Sequence, residues 1–150
     1  MAYIDTMTGL GNRTAFLEEN KSNAIFPGMI SYIMMDANNL KTINDTLGHN
    51  KGDELIITIA KCMRKAVGHN GQCYRIGGDE FVIILKNKTA AETEEIINKV
   101  RCEIEFADKQ SDITISVAIG YVWTDTEQKN LEDLMQHADD ETYQDKKKTK

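Results

Sequence analysis

The chain has 150 residues, of which 41% are hydrophobic and 28% are charged, proportions that are ordinary for a soluble globular protein. Its net charge of −6 argues against a nucleic-acid-binding surface, which would be basic. No apolar run approaches the roughly 20 residues of a membrane-spanning helix, and no signal peptide is visible. The three cysteines form no Cys-x-x-Cys pair. We therefore expect one cytoplasmic domain, 1–150, with reduced thiols and no membrane segment.

The first half of the chain predicts a buried strand followed by two helices. After a turn-rich opening and a short helix, residues 29–35 are almost continuously apolar and predict a central strand covered on both faces. Asp36 ends this run, and an acid there is costly unless it is solvated, paired or bound to a metal. A short helix is expected over residues 40–47, and its start could cradle phosphates. A longer helix is expected to open at Gly52-Asp53.

A predicted hairpin carries an unusual pentapeptide, Gly77-Gly78-Asp79-Glu80-Phe81. It joins two runs with strand character, residues 72–76 and 81–85, and a short connection containing glycine predicts a β-hairpin. The two glycines would allow a positive φ and a close approach of the backbone to something bulky. The adjacent carboxylates suit a hard cation that carries a phosphorylated ligand, and a solvated acidic turn is the alternative.

The second half predicts a helix, a strand and a last helix. Thr89 and Glu92 form a capping-box pattern at the start of the first of these helices. Residues 113–122 predict another strand, and Asn130 can cap the final helix. The order of elements predicts an α/β fold of the α+β kind, a central mixed β-sheet flanked by helices. Neither a Rossmann Gly-x-Gly-x-x-Gly nor a P-loop is present.

Three segments in order carry a recognisable pattern: residues 5–13 (DTMTGLGNR), 36–53 (DANNLKTINDTLGHNKGD) and 75–81 (RIGGDEF), with weaker matches at 114–116 and 138–146. Together they resemble the GGDEF domain of diguanylate cyclases over essentially the whole chain. The resemblance implies a fold like the nucleotide-cyclase and polymerase palm, with a ferredoxin-like core. It also implies the condensation of two GTP into cyclic di-GMP and two pyrophosphates, in the catalytic part of a longer bacterial signalling protein.

The resemblance also implies a metal site and a catalytic group. Asp36, the backbone carbonyl of Ala37 and Asp79 should hold Mg²⁺ or Mn²⁺ against the triphosphate, and Mg²⁺ needs only a couple of protein oxygens. Asp79, with Glu80 close by, is the family's candidate general base. Lys41 matches a catalytic lysine that faces the phosphates.

The implied GTP contacts surround this group. Asn44 and Asp53 match the guanine readers, because an Asp accepts two hydrogen bonds from guanine that adenine cannot supply in that arrangement. The other implied substrate contacts are Asn39, Leu40, His49, Arg75, Gly77, Gly78, Lys146 and Lys150. A structural role for His49 and a solvated side chain for an isolated lysine are the alternatives.

The chain also departs from the family pattern. Asn38 stands where a second Asp is frequent, and Leu40 replaces a common Phe. In the last helix, Glu141 and Thr142 replace a small-then-aliphatic pair, and Lys150 stands where a phosphate-binding Arg is common. Lysine keeps the charge but loses the bidentate fork. Residues 68–71 lack the Arg-x-x-Asp of an inhibitory product site.

Three functions are compatible with this pattern. The first is an active diguanylate cyclase that takes GTP as substrate and works as a transient homodimer. The second is a catalytically degenerate domain that binds GTP or cyclic di-GMP as a regulatory module, which the altered last helix favours. The third is a related dinucleotide synthase with relaxed base choice, against which Asp53 counts. No nucleic acid is expected as a partner in any of them.

Overall fold

The computed structural model describes residues 2–23, 26–125 and 131–148. Within these ranges the chain forms four strands and five α-helices. In chain order they are α1 (Arg13–Asn20), β1 (Ile30–Ala37), α2 (Leu40–Leu47), α3 (His49–Val67), β2 (Gly71–Arg75), β3 (Glu80–Lys86), α4 (Ala90–Gln110), β4 (Val117–Thr124) and α5 (Leu131–Lys148). The expected capping residue Asn130 lies outside the described residues, as does Lys150. No helix in these ranges combines the length and the apolar character needed to cross a bilayer.

The four strands form one sheet in the order β2-β3-β1-β4, which confirms the predicted central sheet flanked by helices. All three strand pairs are antiparallel, so the sheet is less mixed than expected. Its parallel component, within the described residues, is an isolated bridge between Gly11 and Tyr74. The expected hairpin is formed by β2 and β3, with Arg75 opposite Phe81.

Strand β1 lies in the middle of the sheet and is buried on both faces, as its continuous apolar run predicts. Alternate residues point to opposite faces. Ile33 and Met35 pack with α2, α3 and α4, whereas Tyr32 and Met34 pack with α1 and α5. By this alternation Asp36 falls on the face of α1 and α5.

Two element boundaries differ from the sequence prediction. The strand expected from residue 113 begins at Val117, opposite Ala37, because β1 ends there. The N–H of Ile115 is bonded to the Asp108 carboxylate at the end of α4 instead of to a strand. Helix α3 begins at His49 rather than at residue 52, because Gly48, with φ of 93°, already makes the turn out of α2.

The capping box at the start of α4 is confirmed. Thr89 Oγ1 accepts the N–H of Glu92 at 3.1 Å, and Glu92 Oε1 accepts the N–H of Thr89 at 2.9 Å. Two otherwise unpaired N–H groups of the first turn are thereby bonded. Helix α4 then packs against α3 and covers one face of the sheet.

Candidate active site

The end of β1 and the tip of the hairpin bring the predicted acids together. Asp36 lies directly opposite Glu80 across the β1–β3 ladder. The N–H of Ala37 donates to the main-chain oxygen of Asp79 at 2.8 Å. Asp36, Ala37 and Asp79, the expected metal-binding group, therefore meet at one end of the sheet.

Helix α5 brings a lysine to the same place. Lys146 Nζ lies 3.0 Å from Asp36 Oδ2, and the Asp36 side chain is only 18% exposed. A cleft of about 280 Å³ opens beside this pair. The cleft is lined by Ala37, Asn38, Asn39, Leu40, Lys41, Asp79, Ser116 and Lys146. Two lysines from different helices, α2 and α5, thus line one cleft together with an acid of the hairpin.

Burial and neighbouring charges raise the pKa of two carboxylates in this region. Burial raises the pKa of Asp36, the charges of Asp79 and Asp139 add to the rise, and the ion pair with Lys146 opposes it. Burial also raises the pKa of Glu80, and the charges of Asp36, Asp79 and Asp139 act in the same direction. Such a crowded set of acids is stabilised by a nearby cation.

The oxygen donors here fit a hard divalent cation. Across the described ranges, no group of three or more His, Cys, Asp or Glu side chains is arranged to hold a metal ion. The predicted set is smaller, with the carboxylates of Asp36 and Asp79 and the carbonyl of Ala37. Mg²⁺ is compatible with so few protein oxygens because it keeps water and phosphate oxygens in its other positions. A lysine beside Asp36 shows that this position already attracts positive charge.

The two glycines of the hairpin tip, Gly77 and Gly78, do not adopt the positive φ that was expected of them. Positive φ values occur at Gly9, Gly48 and Gly68 and not at Gly77 or Gly78. At Gly77 a Cβ would lie 2.8 Å from Glu80 Oε1, so the end of the Glu80 side chain would have to shift to admit a larger residue. A Cβ at Gly78 would meet nothing within 4 Å. The second part of the expectation, a bare backbone open to a ligand, therefore fits Gly78.

Arg75 is held within the protein at the base of the hairpin tip. Its Nη2 donates to the main-chain oxygen of Gly78 at 2.8 Å, and its Nη1 lies 3.3 Å from the Asp5 carboxylate. Burial alone would raise the pKa of Asp5, but the bonds from Thr8 and the charge of Arg75 lower it. The conformation of the tip thus depends on Arg75, and the GTP contact predicted for this residue stays a prediction.

The predicted guanine readers lie on α2 and α3. The Asn44 side chain occupies the space where a Cβ of the buried Gly52 would lie, so the amide packs directly on α3. Asn44 Oδ1 is buried and has no hydrogen-bond partner within the described residues. A buried acceptor without a partner is costly. Asp53 follows Gly52 and is exposed, as is His49 at the first position of α3.

Some of the other predicted GTP contacts line the cleft, and others do not. Asn39 has φ of 67° and precedes the first residue of α2 without a side-chain capping bond. Leu40 is partly buried against the core, although it also lines the cleft. Seven of the predicted residues in the described ranges are absent from the cleft lining: Asp36, which lies beside it, and Asn44, His49, Asp53, Arg75, Gly77 and Gly78. Glu80 is absent as well, and its place is beside Asp36 on the α1 and α5 face of the sheet.

Sequence reasoning assigned no site role to Ser116, Asp139 or Asn38. Asn38 Nδ2 donates to Ser116 Oγ at 2.9 Å, and the Asn38 N–H donates to the Ser116 main-chain oxygen at 2.9 Å. This pair closes the cleft wall between β1 and β4. The weak motif match at residues 114–116 was the available signal for Ser116, and the closing motif was the signal for Asp139.

Comparison with known proteins identifies the family of the chain. The family model described as "Diguanylate cyclase, GGDEF domain" matches residues 2–150. The diguanylate cyclase DgcN of Escherichia coli is 32% identical over 150 residues, which cover 95% of this chain and 36% of DgcN. The cyclic di-GMP phosphodiesterase PdeB of Shewanella oneidensis is 28% identical over 141 residues, which cover 92% of this chain and 16% of PdeB.

A solved structure shows the same architecture. The crystal structure of the GGDEF domain of DgcB from Caulobacter crescentus in complex with c-di-GMP matches with a TM-score of 0.87 and 25% identity. The match covers 98% of this chain and 91% of the DgcB domain. The chain therefore spans most of that domain but well under half of the curated relatives DgcN and PdeB. Fold, motif positions and family match together show that this chain belongs to the diguanylate cyclase GGDEF domain family.

Proposed function

We propose that the chain is a diguanylate cyclase that condenses two GTP into cyclic di-GMP and two pyrophosphates. The reaction is the in-line attack of a 3′-hydroxyl on an α-phosphate. One observation carries the proposal: β1, the hairpin, α2 and α5 converge on a cleft with acids and two lysines. Asp79 lines the cleft, Asp36 lies beside it in an ion pair with Lys146, and Lys41 and Lys146 supply the positive charge.

Each part of this group has a distinct task. Asp36, the carbonyl of Ala37 and Asp79 would hold Mg²⁺, which when bound neutralises charge on the triphosphate. Lys41 and Lys146 offset the remaining phosphate charge from two sides of the cleft. A carboxylate oxygen of Asp79, with Glu80 nearby, accepts the proton of the attacking 3′-hydroxyl.

Selection of guanine is assigned to Asn44 and Asp53. The Asp53 carboxylate is exposed and free to accept from the two donors on the guanine edge. The Asn44 side chain packs against Gly52, the residue before Asp53, so the two predicted guanine readers are neighbours. Adenine presents a different edge, so it would leave these groups unpaired and bind less well.

A regulatory module that binds nucleotide without turnover is the second candidate. It was favoured by the altered last helix, where Thr142 replaces an aliphatic residue. Thr142 is buried, and its hydroxyl donates to the main-chain oxygen of Ala138 at 2.8 Å. The polar substitution is therefore accommodated within α5, and Lys146 still reaches Asp36. The change at Thr142 therefore gives no specific support to the degenerate module.

Incubation of the chain with GTP and Mg²⁺, followed by chromatography of the products, tests the proposal. We expect cyclic di-GMP and pyrophosphate from GTP, and no cyclic product from ATP. Binding of GTP without any product at high protein concentration would contradict the enzyme and favour the regulatory module.

A further inference from the structure

Two adjacent residues of α5 contact two adjacent rungs of the sheet. Asp145 Oδ2 accepts the N–H of Ile119 on β4 at 2.7 Å. Lys146 Nζ lies 3.0 Å from Asp36 Oδ2 on β1. Ile119 is opposite Met35 in the β1–β4 ladder, and Asp36 is the next residue of β1. The bond of Asp145 and the bond of Lys146 are therefore neighbours in space as well as in sequence.

The bond from Ile119 is the stronger of the two that hold Asp145. Strand β4 is at the edge of the sheet, where outward N–H groups have no further strand to accept them. The Asp145 side chain is 14% exposed, and a carboxylate bonded to a backbone N–H is a strong, charge-assisted contact. Arg101 Nη1 of α4 lies farther away, at 3.5 Å, and its side chain is 45% exposed. An ion pair of that kind contributes little.

We propose that Asp145 is a positioning residue for Lys146. Successive residues of an α-helix are about 100° apart around its axis, so anchoring one residue sets the direction of the next. The bond to Ile119 fixes the rotation of the last turns of α5 and directs Lys146 to Asp36 and the cleft. The proposal rests on the proposed function in one respect, the role of Lys146 as a contact for the triphosphate.

Whether removal of Asp145 weakens or strengthens nucleotide binding distinguishes a positioning role from a simple effect of its charge. If only its negative charge mattered, removing Asp145 would strengthen the binding of an anionic nucleotide. Positioning predicts the opposite: Asp145→Ala weakens binding of Mg²⁺ and a non-hydrolysable GTP analogue about tenfold, as expected for losing one charge-assisted contact. Asp145→Asn keeps an acceptor oxygen for the Ile119 N–H and should recover most of the affinity. Asp140→Asn, which removes an exposed charge from the same helix, serves as the control.

A double-mutant cycle tests whether Asp145 acts through Lys146. Calorimetry with the same analogue is done on wild type, Asp145→Ala, Lys146→Ala and the double variant. We expect Asp145→Ala to weaken binding less than twofold once Lys146 is absent, because coupled residues are non-additive. The proposal is overturned if Asp145→Ala lowers the affinity for the analogue by the same factor with and without the Lys146 side chain. It is also overturned if Asp145→Ala leaves binding unchanged or makes it tighter when Lys146 is present.

A nucleotide-free measurement keeps this proposal separate from the proposed function. In the apo protein, Asp145→Ala should speed exchange of the Ile119 amide hydrogen and move the Lys146 Nζ NMR resonance toward its position in Asp36→Ala. Asp145→Asn, which retains the acceptor, should leave both close to wild type. If the wild-type chain binds no GTP analogue, the proposed function fails, and these spectra still decide the positioning role. An unchanged Lys146 resonance in Asp145→Ala would overturn it.

Discussion

Asp79 contacts the end of β1 through its main chain. Its main-chain oxygen accepts the Ala37 N–H, and that bond does not depend on the side chain. We predict that Asp79→Ala abolishes formation of cyclic di-GMP and leaves the fold intact. The loss should reach several orders of magnitude, because the charge stabilisation by the metal site depends on this acid.

Product chromatography and circular dichroism together check this prediction. Glu18→Ala is the matched control, since Glu18 is an exposed acid on α1 that pairs with Lys21 outside the cleft. Cyclase activity near the wild-type level in Asp79→Ala would remove Asp79 from the catalytic group.

Glu80 should make stability depend on pH in an unusual direction. Burial and the neighbouring charges raise its pKa above the usual 4.5, so the folded chain holds this proton more tightly than the unfolded chain. Stability of the metal-free protein therefore falls as the pH rises through the interval between the two pKa values. We predict that Glu80→Gln raises the urea midpoint at pH 7 and that the gain disappears below about pH 4, where the carboxyl is protonated in both states.

Urea titrations at several pH values, without divalent metal, measure this difference. Glu105→Gln controls for the loss of one exposed carboxylate, because Glu105 lies on α4 and pairs with Lys109. If Glu80→Gln raised the urea midpoint equally at pH 4 and pH 7, the variant would act by packing and not by charge.

At the scale of elements, α5 and β4 make the closest backbone contact that bears on the site. Gly120 of β4 faces the main chain of α5, and a Cβ there would overlap Ala138 and Thr142. We predict that Gly120→Ala costs about 1–3 kcal/mol, as overpacking typically does. Because the helix must move away, Lys146 should also lose its contact with Asp36 and GTP affinity should fall.

Gly78→Ala is the matched comparison for that prediction. A Cβ at Gly78 meets nothing within 4 Å and its φ is not positive, so stability should change by less than about 0.5 kcal/mol. Thermal or urea unfolding of both variants measures the contrast. Equal stability of the two variants would contradict the close docking of α5 on β4.

At the scale of the whole molecule, the proposed reaction needs two copies of the chain. In the proposed reaction each cleft holds one GTP, and cyclisation requires two GTP molecules that face each other about a two-fold axis. We predict that specific activity rises with protein concentration and increases further when a dimerising zipper is fused ahead of Asp5. A specific activity that stays flat down to nanomolar protein would contradict a transient homodimer.

Feedback by the product also belongs to this scale. A second site for cyclic di-GMP needs Arg for its phosphates and an acid for its base donors. The stretch 68–71 offers His69 and Asn70 instead, and the nearby Arg64 already donates to the Thr8 main-chain oxygen at 2.9 Å. We predict no high-affinity binding of cyclic di-GMP outside the cleft. Calorimetry on Asp36→Ala measures it, and submicromolar binding that GTP does not displace would show that a second site exists.

Local patterns were sufficient for most elements of this fold. Helix α2 occupies the predicted residues 40–47, and the capping box starts α4 where Thr89 and Glu92 placed it. Both features depend on residues within one or two helical turns, so the sequence specifies them directly. The acids of the site were also visible, because Asp36 ends an apolar strand and Asp79 follows two glycines.

Long-range packing decided the rest. Pairing with β1 set the start of β4 at Val117, although the apolar alternation begins earlier in the chain. The side-chain bonds of Arg75, and the approach of Lys146 to Asp36 beside the Asp145 anchor, join segments far apart in sequence. Their geometry depends on how α5 docks on the sheet, and no local periodicity encodes that docking. The sequence by itself therefore determined the chemical groups of the site, whereas the tertiary structure decided which of them meet.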